Sequence, residues 1–149
     1  ARVVDLDGWT ALPAFVPPNE RRGVVLIDPP YESRDEFDRL AASFAEAFAK
    51  WPNGVYVLWY PVKERRAADT LARQVASAMQ QAGAAADKCL RVEFSVAPQT
   101  AESGLVSAGL LIANPPWTLA SELKVILPEL EKPLGLGGAG RYRVEHARP

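Results

Sequence analysis

The chain has 149 residues, 48% of them hydrophobic and 23% charged, the profile of one soluble globular domain with its own core rather than a disordered segment. A single cysteine, Cys89, excludes an intrachain disulfide and a cysteine-clustered zinc site, and a single histidine, His146, excludes an interior Ser-His-Asp triad or a multi-histidine metal centre. A net charge of −1 and a sequence pI near 5.9 give no global attraction to nucleic acid, for which a domain pI above about 9 is the usual footprint.

No run of roughly 18 apolar residues exists to span a bilayer, and the first residues lack the charged-then-apolar pattern of a secretory signal. The expected location is the cytoplasm, with no membrane partner and no metal. Because the chain opens on Ala1 and its one methionine is Met79, it reads as a fragment or as a processed or incompletely recorded chain.

In chain order, short apolar runs alternate with longer amphipathic stretches, the α/β signature. A short strand is expected over 2–6, followed by Asp7 and Gly8, which read as a turn. The clearest strand is 23–28, GVVLID, whose unbroken β-branched and leucine content suits burial on both faces of a parallel sheet. Next, Phe37, Leu40, Ala41, Phe44, Phe48 and Trp51 recur at three- and four-residue steps and predict a helix with one apolar stripe. Ser33 and Glu36 have the spacing of a capping box at its start.

A second strand is expected over 54–60, GVYVLWY. The spacing of Ala67, Leu71, Val75, Ala78 and Met79 predicts a helix over 63–82 that stops at Gly83. Strands are expected over 90–96 and 110–113. A third helix over 118–132 would turn Leu119, Leu123, Ile126, Leu127 and Leu130 inward and be kinked or ended by Pro128. Gly135, Gly137 and Gly140 spell GxGxxG but follow a helix instead of a strand, so they read as a flexible turn and not a dinucleotide loop. A short edge strand over 142–145 closes the chain.

The four residues with the most chemistry are Asp28, Pro29, Pro30 and Tyr31, directly after the clearest strand. In open α/β sheets ligands bind beyond the carboxyl ends of strands. Two prolines fix φ and remove backbone donors, leaving a rigid set of acceptors in the Asp28 carboxylate and the proline-segment carbonyls. Such a site suits an amino group. Tyr31 adds a flat face on which a nucleobase could stack, so the residues describe a pocket for an exocyclic amine on an extruded base. Asp28 would orient the amine and take up its proton, which suits nitrogen methylation. The plainer reading makes Asp28 a cap and the prolines a strand end.

Asn114, Pro115, Pro116 and Trp117 repeat the shape after the LLIA strand, so the motif alone does not choose between them. A carboxylate accepts both hydrogen bonds and a proton, whereas an amide is no base, which favours Asp28. For the second copy the plainer reading packs Trp117 against the third helix. Arg21, Arg22, Arg34, Lys63, Arg65, Arg66, Arg141 and Arg143 are candidates for phosphate contacts, although each taken singly also reads as solvated surface. Asp7 and Gly8 could line the same crevice, an acidic acceptor beside a close backbone approach.

Together VVLIDPPYE, GVYVLWYPV, LRVEFSVAP and SAGLLIANPPW, in this order and spacing, resemble the ribosomal large-subunit methyltransferase J family from about Val3 to the C-terminal region. The resemblance implies a Rossmann-like fold and transfer of a methyl group from S-adenosylmethionine to the N6 amine of an adenine in 23S ribosomal RNA. It makes Asp28 catalytic, with Pro29, Pro30 and Tyr31 at the substrate, and places Asp7 and Gly8 at the cofactor.

The family's N-terminal half, with its Gly-rich cofactor loop, has no counterpart in these residues. Residues 1–149 are therefore expected to be the C-terminal part of a single methyltransferase domain. The fold would be incomplete, with an unpaired strand edge open to dimerisation or strand exchange and little activity in isolation. Two alternatives stay open. One is another amino-methyltransferase acting on ribosomal guanine or DNA adenine, and the other is a noncatalytic module that binds RNA or a protein partner.

Overall fold

Five strands form one sheet in the computed structural model, which describes residues 3–100 and 102–149. They are β1 (Val24–Ile27), β2 (Val55–Pro61), β3 (Cys89–Ser95), β4 (Ser107–Ala113) and β5 (Arg141–His146), in spatial order β1-β2-β4-β3-β5. Only β1 and β2 pair in parallel; β2 with β4, β4 with β3 and β3 with β5 are antiparallel. Four helices accompany the sheet: α1 (Gly8–Phe15), α2 (Glu36–Lys50), α3 (Arg65–Gln81) and α4 (Leu119–Leu134).

The periodicity expected of α2 is what buries it. Leu40, Phe44 and Phe48 join Leu71, Val75 and Met79 of α3 on Tyr56, Leu58, Tyr60 and Leu111 of the sheet. Each such side chain contributes about 1.5–3 kcal/mol when fully buried. On the opposite face a smaller cluster of Leu90, Val92 and Ile112 is covered by Leu127 of α4. Cys89 is buried as expected, and burial pushes its thiol up to about 12, far from reactive thiolate character. Gly83 ends α3 in the left-handed conformation expected of a helix stop, with φ +85°.

Several expectations fail for identifiable reasons. Of the strand expected over 2–6, Arg2 lies outside the described residues and residues 3–6 form no strand. Asp7 and Gly8 make no hairpin-like turn, because Asp7 Oδ1 accepts from Thr10 N at 3.0 Å and so caps α1, a helix the apolar pattern did not announce. The GVVLID strand is not buried on both faces. Val25 and Ile27 face the α2–α3 core, whereas Val24 and Leu26 alternate to the other face, where neither joins a core cluster among the described residues, and are 68% and 67% exposed.

The capping box does not form either. The helix starts at Glu36, so Ser33 stands too far upstream to be its cap, and Ser33 Oγ bonds Asp35 Oδ1 instead. Of the two outcomes expected at Pro128, ending the helix does not occur, since α4 runs on through it to Leu134; a proline removes one i to i−4 bond, and the Leu127 packing persists beside it. Ile126 and Leu130 point outward, leaving Leu127 as the one buried member of the expected stripe. Trp117 does not pack on the helix; it is 94% exposed.

Candidate active site

β1 hands the chain directly into Asp28, Pro29, Pro30 and Tyr31 at the carboxyl end of the strand. Pro29 is buried and Asp28 is exposed. Among the described residues no side-chain hydrogen bond or ion pair involves Asp28, so its carboxylate keeps all its acceptor capacity for something outside the chain. Proline fixes φ of the two intervening residues, and Tyr31 follows in the left-handed region with φ +55°. A tyrosine there is strained and persists only where surroundings hold it.

The surroundings do hold it. The Tyr31 ring is tilted against Phe37 at 5.1 Å and Trp59 at 5.7 Å between centroids, and its hydroxyl donates to the Trp59 carbonyl at 2.5 Å. Burial, then the negative charges of Asp28 and Glu36, push the Tyr31 hydroxyl well above the ordinary tyrosine range. It therefore stays protonated at neutral pH and serves as a donor.

Alongside β1 opens a cavity of about 970 Å³. Its wall brings together Asp7 and Gly8 at the start of α1 with Asp28, Pro29 and Pro30, whereas Tyr31 stands beside it and does not line it. Trp9, Leu12, Val25 and Ile27 supply the apolar surface. Asp7 uses Oδ1 on the α1 N-terminus, bonding Thr10 N and Oγ1. At Gly8 nothing lies within 4 Å of where a Cβ would stand, so the backbone there faces open space.

The second motif has a different fate. β4 runs antiparallel to β2 with Ala113 opposite Tyr56, so Asn114 lies near the start of β2, at the other end of the sheet from Asp28. Asn114 adopts φ +54° and spends both amide hydrogens on the carbonyls of Pro52 and Gly54, each at 2.8 Å. Its side chain is a staple for the loop before β2.

Among the cavity residues that the sequence did not mark as such are Trp9, Glu36 and Arg39. Trp9 and Arg39 meet as a cation–π pair at 5.0 Å. Glu36 read as a cap, yet it stands at i−4 from Leu40 and i−8 from Phe44, on the stripe that buries α2. That phase was the available signal. Of the basic candidates, Arg65 and Arg143 turn toward buried Glu93, at 2.6 and 3.8 Å, and Arg22 lines the cavity. Among the described residues no group of three or more His, Cys, Asp or Glu could hold a metal ion, and no helix is long and apolar enough to cross a membrane.

Comparison with known proteins adds to this geometry. A family model described as Ribosomal RNA large subunit methyltransferase D, RlmJ, matches residues 1–147. The chain is 36% identical over 143 residues to Ribosomal RNA large subunit methyltransferase J of Haemophilus influenzae, covering 96% of this chain and 49% of that protein. It is 34% identical over 149 residues to the protein of the same name from Escherichia coli, covering 100% and 51%. The chain thus spans about half the length of the curated relatives it matches. A solved structure of a Legionella pneumophila protein superposes with a TM-score of 0.82 at 31% identity, over 95% of this chain and 50% of that one.

Proposed function

The chain belongs to the RlmJ family of ribosomal RNA large subunit methyltransferases, and from that premise we propose that its gene product methylates the N6 amine of an adenine in 23S ribosomal RNA using S-adenosylmethionine. The observation that carries the reading is an uncommitted carboxylate, Asp28, at a strand's carboxyl end on the wall of a cavity large enough for a nucleoside. The cavity's chemistry suits the cofactor. Asp7 offers an acceptor to its adenine amino group, the open backbone at Gly8 allows close approach, and Trp9, Leu12 and Ile27 offer apolar surface to a flat base.

When bound, S-adenosylmethionine supplies an electrophilic methyl group. The rest is done by the chain. Asp28 accepts an N–H of the target amine and, with a carbonyl of the proline segment as a second acceptor, fixes the direction of the nitrogen lone pair. As the nitrogen gains positive charge, the same carboxylate stabilises it and takes up the released proton. Pro29 and Pro30 hold these acceptors still by fixing φ. Tyr31, anchored through its hydroxyl and packed on Phe37 and Trp59, holds the turn that presents them, and any stacking of a base on its ring would take place beside the cavity.

The test is to incubate 23S ribosomal RNA with labelled S-adenosylmethionine and the full gene product that carries this sequence, then identify the nucleoside by mass spectrometry. N6-methyladenosine is expected. Label on guanine, or no label, would reject the assignment.

A further inference from the structure

Among the described residues one buried side-chain polar atom lacks a hydrogen-bond partner, Oε2 of Glu36. Glu36 is 5% exposed, occupies the first position of α2 and lines the cavity with Asp28 and Pro29. The N-terminal end of a helix favours negative charge, yet it leaves this oxygen without a donor. Arg39 is no partner: its guanidinium lies over the Trp9 ring, and among the described residues it forms no ion pair with Glu36. A buried, unpaired carboxylate oxygen weighs against the fold and calls for an explanation.

We propose that the missing partner is the ligand, and that Glu36 is a binding residue whose carboxylate accepts a hydrogen bond from an N–H or O–H of an amino-bearing nucleoside, the cofactor. An ionised carboxylate only accepts, so its complement is a donor, and the nearby Trp9 and Leu12 surfaces suit the flat part of the same molecule. The inference rests on the assignment of the cavity to S-adenosylmethionine and adds a contact to it. It also explains why the cost is tolerated: the oxygen is satisfied in the bound state.

Calorimetric titration of the full gene product with S-adenosylmethionine and S-adenosylhomocysteine, together with apo melting temperatures, tests this in wild type, Glu36→Leu and Glu36→Gln. Glu36→Leu is expected to raise both dissociation constants about tenfold or more, the scale of one lost hydrogen bond to a charged group. Its apo melting temperature should stay level or rise, because leucine removes the unpaired oxygen without leaving a hole. Glu36→Gln keeps one acceptor and should fall between, and it preserves the test should the leucine variant fail to fold.

Binding within twofold of wild type in both variants overturns the role of Glu36 while leaving the cavity assignment standing. That role is equally overturned if both variants lose affinity for a 23S ribosomal RNA fragment and keep it for the cofactor. Wild-type protein that binds neither cofactor form at millimolar concentration overturns the cavity assignment and this inference together.

Discussion

Tyr31 donates its hydroxyl to the backbone carbonyl of Trp59 at 2.5 Å, tying the turn after β1 to the end of β2. The bond and the two flanking rings hold a tyrosine in a left-handed conformation that it would otherwise avoid. Tyr31→Phe keeps the ring contacts and removes the bond. Urea unfolding should show a loss of about 1 kcal/mol with an unchanged m-value. A loss much below that would mean the hydroxyl contributes nothing to the turn.

Glu93 sits at the centre of a buried ionic network. It accepts from Arg91 at 2.6 Å, from Arg65 at 2.6 Å and from the Tyr60 hydroxyl at 3.0 Å. Burial raises its carboxyl, but hydrogen bonds from Arg65 and Arg91 and their charges outweigh burial and hold it below the ordinary carboxylate range. A lowered folded value contributes stability that is complete above the unfolded glutamate pKa of about 4.3 and is lost as pH falls through the folded value. Denaturation midpoints should therefore decline below about pH 4 in wild type, and more shallowly in Glu93→Ala. That variant should also lose about 3 kcal/mol near pH 7, because Arg91 is left buried with less compensation.

Asn114 combines a left-handed backbone with two side-chain bonds to the loop before β2. Asn114→Ala loses both bonds and places a less tolerant residue at φ +54°, so it should cost about 2–3 kcal/mol in thermal or urea unfolding. Asn114→Gly relieves the backbone and should cost less. Equal stability of wild type and Asn114→Ala would contradict the structural role assigned to this motif.

The helical stripes of α2 and α3 were legible in the sequence because burial on one side enforces a period, and the strands over 23–28, 54–60, 90–96 and 110–113 were legible as short apolar runs. Asp7 was legible as a cavity residue but not as a cap, since an Asp-Gly pair serves a turn and a helix start equally well. The edge position of β1 could not be read, because an apolar run looks the same whether or not a neighbour covers it. The letters of the two proline motifs favour Asp28 only through the chemistry of a carboxylate against an amide, and say nothing of where either lies. The antiparallel pairing of β4 with β2 separates them, by carrying Asn114 to the far end of the sheet.

The most direct measurement is methyl transfer to 23S ribosomal RNA by the full gene product bearing Asp28→Asn, read beside its melting temperature and cofactor affinity. Asp28 is exposed and makes no side-chain hydrogen bond among the described residues, so the melting temperature should hold. Turnover should fall by about a hundredfold or more, the contribution of a positioned proton acceptor. Turnover near the wild-type rate in a folded variant would contradict the role given to Asp28, and with it the proposed mechanism.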